Sequence, residues 1–223
     1  MYKAIHFVCI FVAMNTTAPK PTINKIASVI SYVLHPVFIP SIAFLLFFLL
    51  PINAFSAFTW TVINKWFAII VINTCFFPLL LVVLLKRLDF IKTITMTDAK
   101  DRIIPLIGSM VFYFWAYHVL HNLKTVPAIP SVLIVYFLAQ FWGLIAMFIL
   151  NIFFKISMHA AAVGTLIGIS FCMDFSLAFF LIACGCSILV LISRKVLQAH
   201  THAELISGLV LGILSCLAAF IYL

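Results

Sequence analysis

The amino-acid sequence predicts an all-α protein, a polytopic bundle of about six or seven membrane-spanning helices, and three observations predict it. Hydrophobic residues make up 66% of the 223 and charged residues only 8%, where a soluble domain carries roughly 45–50% and 25%. Charge-free runs recur at about the 20 residues that a helix needs to cross hydrocarbon. The connections between them are short, so no separate soluble domain remains to carry chemistry. A water-soluble globule has too little interior for this much apolar surface. The composition therefore excludes a soluble enzyme, a disordered chain and a nucleic-acid-binding domain.

Residues 1–25 read as an N-terminal segment, either interfacial or signal-like. Behind Lys3, the apolar stretch 4–14 is eleven residues long, too short to cross as a helix. Residues 26–223 read as one integral-membrane domain. Its first run, 26–50, contains Pro36 and Pro40, which predict a kinked or late-starting helix because proline withholds an amide. The runs 66–85, 103–123, 131–154, 156–173, 175–193 and 205–223 complete seven crossings. Cys9, Cys75, Cys172, Cys184, Cys186 and Cys216 nearly all lie inside apolar runs and read as small packing residues. Gly164-x3-Gly168 and Gly208-x3-Gly212 have the spacing that lets helices pack closely in a membrane.

Alternation of crossings puts the connections 86–102, 155 and 194–204 on one membrane face, and they hold most of the polar chemistry. The first carries Lys86, Arg87, Lys92, Lys100 and Arg102; the second Lys155, Ser157 and His159; the third Arg194, His200, His202 and Glu204. Arginine and lysine favour phosphate, arginine through its bidentate fork. Helix N-terminal amides near Ser157 suit an anion. Imidazole serves as nucleophile or proton donor. His200 and Glu204, at i and i+4, would share a face of a helix, so the carboxylate could orient the ring. An interfacial ion pair is the other reading of that spacing. His35, His118 and His121 read as interfacial residues away from this site, and His202 as a flanking one. Together the stations point to phosphoryl transfer from a substrate whose tail stays in lipid.

Ser193-Arg194-x5-His200-x3-Glu204 resembles the third signature, SR-x5-H-x3-D, of the type 2 phosphatidic acid phosphatase (PAP2) and haloperoxidase superfamily. Ile156-Ser157-Met158-His159 looks like its second signature, PSGH, and Arg102 with Pro105 like a reduced form of the first, K-x6-RP. The resemblance covers roughly residues 86–215. It implies a PAP2-like core in which His200 attacks phosphorus, Glu204 orients His200 and His159 protonates the leaving oxygen. Arg194, Ser157 and Arg102 would hold the phosphoryl oxygens, assisted by Lys100 or Lys92, with Lys155 a further candidate. The sequence departs from the pattern at Glu204, where aspartate is usual, at Ile156 and Met158, and at Thr95, seven residues before Arg102.

No cofactor or metal is expected. A zinc set of His159, His200, His202 and Glu204 has no motif of its own, and the SR-x5-H pattern also accounts for the arginine. The expected partners are the bilayer and a lipid phosphate: phosphatidic acid, phosphatidylglycerol phosphate, a polyprenyl diphosphate or a lipid A phosphate. A non-catalytic lipid-phosphate binder or transporter is the alternative. The expected location is a bacterial inner membrane. Eleven of the 13 lysines and arginines fall on the site face if the N-terminus shares it, which puts that face in the cytoplasm by the positive-inside rule. Many bacterial relatives of the resembled family work at the outer face.

Overall fold

The structure, a computed structural model, describes residues 21–50, 55–94, 100–172 and 176–223. The apolar stretch 4–14, Cys9, Thr95 and Asp174 lie outside the described residues. Among those described there are helices and connections and no strand. In order they are α1 (Pro21–Val33), α2 (Ile39–Leu49), α3 (Trp60–Val71), a π-helical turn (Ile72–Phe76), α4 (Phe77–Arg87), a 3-10 turn (Lys100–Arg102), α5 (Ile103–Asn122), α6 (Ser131–Phe153), α7 (Met158–Phe171), α8 (Leu177–Val196) and α9 (His202–Tyr222).

Five of these helical stretches are long and apolar enough to cross a membrane: Trp60–Arg87, Lys100–Asn122, Ser131–Phe153, Leu177–Val196 and His202–Tyr222. The chain is thus a multi-pass helical membrane protein. Two of the expected crossings take another form. The run 26–50 is not one helix: α1 stops at Val33, the chain turns through residues 34–38, and α2 restarts for 11 residues. Pro36 accounts for the break, since the residue before a proline is driven out of the helical region, while Pro40 lies in the first turn of α2, where a missing amide costs nothing. The run 156–173 supplies α7, whose 14 residues rise only about 21 Å, short of a hydrocarbon core of about 30 Å.

The stretch Trp60–Arg87 runs through its π-helical turn, where two side chains return to the backbone. Pro78 brings no amide to the turn before it, while Asn73 Nδ2 donates to the Ile69 carbonyl at 2.8 Å and Thr74 Oγ1 to that of Ile70 at 2.9 Å. The large core is aromatic: Phe47 stacks on Phe179 at 5.2 Å, with Phe44, Trp66, Tyr136 and Phe137 fully buried around them. The five described cysteines are free.

Two helices position the site. α7 and α9 lie against each other through the two glycine pairs, as their spacing predicts. A Cβ on Gly164 would meet the Leu209 carbonyl oxygen, and one on Gly212 that of Ala161. Because lipid offers no hydrophobic force between helices, such close backbone approach is what holds them together. It also brings their N-termini side by side: the Ser157 amide donates to the Glu204 carbonyl at 3.1 Å.

Candidate functional site

The third polar station is built by two helix ends five residues apart. α8 stops with a Schellman turn: the Ala199 amide donates to the Arg194 carbonyl at 3.1 Å and that of Gln198 to Lys195 at 3.0 Å. Gln198 sits at φ 51°, a left-handed conformation that costs a non-glycine residue roughly 1–2 kcal/mol. α9 begins at once, with Thr201 as N-cap; its hydroxyl accepts from the Glu204 amide at 3.2 Å. His200 is held between the stop and the start.

His200 Nδ1 lies 2.7 Å from Glu204 Oε2. The pair therefore meets, but not on one helical face as its i, i+4 spacing suggests. His200 precedes the cap of α9, and Glu204 occupies the third helical position, where a capping-box glutamate turns back toward the cap. An ionised carboxylate only accepts hydrogen bonds, so Nδ1 carries the proton and Nε2 keeps its lone pair. The helix N-terminus favours the glutamate's negative charge. Lys155 completes this side: its Nζ donates to the Ala199 carbonyl at 3.0 Å and stands 3.9 Å from Glu204 Oε2. Lys155, Lys195, Gln198, Ala199, His200, Thr201 and Glu204 line a recess of ≈ 460 Å³.

A second group lies further in. Arg194 Nη1 donates to Ser31 Oγ at 2.9 Å. His159 Nε2 lies 3.3 Å from the Ser31 carbonyl and 3.4 Å from its hydroxyl. The His35 ring meets that of His159 edge-on at 5.0 Å. Arg102 is buried, with 7% of the residue exposed, and its charge reaches Arg194. The charge of Arg194 in turn reaches His35, His159 and His200. Arg194 Nε is buried and has no hydrogen-bond partner among the described residues. A charged donor left so is expensive, and with Nη2 it forms the edge that takes a carboxylate or phosphate side-on.

Of the residues singled out from sequence, His200, Glu204, Lys155, Arg194, His159 and Arg102 converge. Lys100 is exposed. Ser157 is completely buried, and its hydroxyl caps α7 by accepting from the Ala160 amide at 3.3 Å. His202 is exposed and flanking, as read, while His118 and His121 stack on Trp115 and Tyr117 in the C-terminal part of α5. His35 corrects the sequence reading: the break after α1 swings it against His159, away from a purely interfacial place. Ser31 and Thr201 were not singled out. The Thr201-x2-Glu204 spacing is a capping-box signal that could have found Thr201; no motif points to Ser31. Among the described residues no three or more His, Cys, Asp or Glu side chains are grouped to hold a metal.

Burial, first, and the cations of Arg194 and Lys155 hold His200 below the ordinary imidazole pKa, against the opposing pull of its bond to Glu204. The neutral ring is thus the resident form at neutral pH. A depressed folded-state pKa means that His200 costs stability as pH falls: its contribution is intact above about 6.5 and is lost below that, toward the folded-state value. If neutral His200 is the reacting form, kcat/KM keeps its value to a pH below about 6.5 before it declines. Removing one positive charge must raise that pKa. The variant Lys155→Met is accordingly expected to move the acidic limb of the kcat/KM profile to higher pH; a limb that stays put or moves down removes Lys155 from the electrostatics of His200.

Compared with known proteins, the chain matches no family model, no curated protein and no solved structure.

Proposed function

We propose that this protein is an integral-membrane lipid phosphatase of the PAP2 kind, hydrolysing a phosphomonoester or diphosphate of a membrane lipid through a phosphohistidine. The observation that carries this reading is the pairing of an imidazole whose Nδ1 is committed to Glu204, which leaves Nε2 as the nitrogen with the lone pair, with an arginine edge whose buried Nε has no hydrogen-bond partner among the described residues. His200 Nε2 forms the N–P bond as the P–O bond to the lipid breaks. The leaving oxygen takes its proton from the imidazolium form of His159, and the neutral ring that results takes a proton back from the water that cleaves the phosphohistidine. Arg194 and Arg102 balance the charge on the phosphoryl oxygens, and Glu204 stabilises the imidazolium as it forms. Phosphatidic acid, phosphatidylglycerol phosphate, a polyprenyl diphosphate and a lipid A phosphate all fit the chemistry. The proposed location is a bacterial inner membrane, and the distribution of cations supports a site toward the cytoplasm.

The purified protein is expected to release inorganic phosphate from at least one of these four lipids without added metal, and vanadate is expected to inhibit the release. A second reading, a lipid-phosphate binder or transporter without catalysis, is favoured by the Ser157 hydroxyl, which is completely buried and accepts from the Ala160 amide as a helix cap. Headgroup binding without phosphate release from any of the four would select it.

A further inference from the structure

Ser31 belongs to none of the polar stations, yet it touches two of them. It is 6% exposed and lies on α1, the helix that packs along α8. Its hydroxyl oxygen accepts from Arg194 Nη1 at 2.9 Å and lies 3.4 Å from His159 Nε2, while its carbonyl is 3.3 Å from the same nitrogen. A carbonyl only accepts, so that nitrogen of His159 carries a proton. Four residues on, His35 closes the arrangement: its Nδ1 accepts from the Val37 amide at 3.4 Å, and its ring meets His159 at 84°.

We propose that Ser31 is a positioning residue of the anion site, so that α1 forms a working wall of the site as well as a surface toward lipid. A guanidinium is planar, so pinning Nη1 fixes the plane and turns the opposite Nε–Nη2 edge in one direction. Nε is buried with no hydrogen-bond partner among the described residues, and it lies on the edge that Ser31 does not contact. The same residue holds His159 through Nε2, and the His35 ring packs edge-on against that imidazole at 5.0 Å. This inference rests on the lipid-phosphate reading of the site.

The test uses the full chain in lipid nanodiscs, with inorganic phosphate and vanadate as binding probes and phosphate release from the lipids as the kinetic readout. Ser31→Ala is expected to weaken phosphate binding by about tenfold or more, the scale of losing a hydrogen bond to a charged group, with KM rising more than kcat falls. Ser31→Cys, close in volume but a poor acceptor, should behave like alanine. Ser31→Thr, which keeps the oxygen, should restore binding to within about threefold. With Arg194→Ala already present, Ser31→Ala should add little, because the two act through one contact. Unfolding temperatures of all variants separate these effects from misfolding. Wild-type affinity in Ser31→Ala and Ser31→Cys, or additive losses in the double variant, would overturn the inference alone. A wild-type protein that binds neither phosphate nor vanadate would overturn the phosphate reading and this inference with it.

Discussion

His200→Ala is expected to lower phosphate release by at least about 10³-fold in kcat, the scale seen when a covalent nucleophile is removed. The side chain is largely buried, its Nδ1 is committed to Glu204 at 2.7 Å, and nothing else in the recess offers a second unprotonated ring nitrogen in that position. Substrate affinity should change little, since Arg194 and Arg102 are the proposed ligands of the anion. Glu204→Gln keeps the shape but offers an amide where a carboxylate held the tautomer. Its cost is expected to be on the order of 10²–10⁴-fold in kcat, by analogy with replacing the acid of a catalytic triad. Single-turnover assays with the lipid that the wild type hydrolyses would measure both. A loss smaller than tenfold in His200→Ala would remove His200 as nucleophile.

The largest effect on stability is expected from Gly212→Leu. A Cβ at Gly212 runs into the Ala161 carbonyl oxygen and comes within 2.8 Å of the Thr165 amide nitrogen. These are backbone atoms of α7, which cannot rotate aside, so the two helices must separate. We expect a loss of at least about 3 kcal/mol, the upper part of the range for overpacking a tight interior. The displacement would also open the link from the Ser157 amide to the Glu204 carbonyl and lower phosphate release with it. Gly185→Leu is the matched control. A Cβ there meets nothing within 4 Å, and the change should stay within about 0.5 kcal/mol. Equal unfolding temperatures for the two variants in the same detergent would show that the glycine contact between α7 and α9 is not what holds them.

The site was partly legible in the sequence because its parts obey local rules. Charges are costly in hydrocarbon, so Lys155, Arg194 and Glu204 had to lie near helix ends. Glycine at four-residue spacing marked the faces of α7 and α9 that touch. What the sequence misjudged follows from geometry that spacing alone does not carry. The i, i+4 relation of His200 and Glu204 was right as a contact and wrong as a helix. A Schellman stop and a threonine cap, rather than a helical face, bring the two side chains together. Ser157 holds a ligand position by motif, and the structure adds that its hydroxyl oxygen accepts from an amide of its own helix end.

Composition and the run lengths by themselves determined an all-helical, multi-pass membrane protein, because burying this much apolar surface while pairing every backbone amide leaves a helical chain little choice in lipid. Only the tertiary structure decided which polar residues share a surface. Ser31 and His35 reach Arg194 and His159 across 163 and 124 residues of sequence respectively. That meeting depends on the break between α1 and α2 and on how α1 lies along α8. Such contacts arise from the packing of whole helices, and no periodicity in a single segment records which distant segment its polar side chains will face.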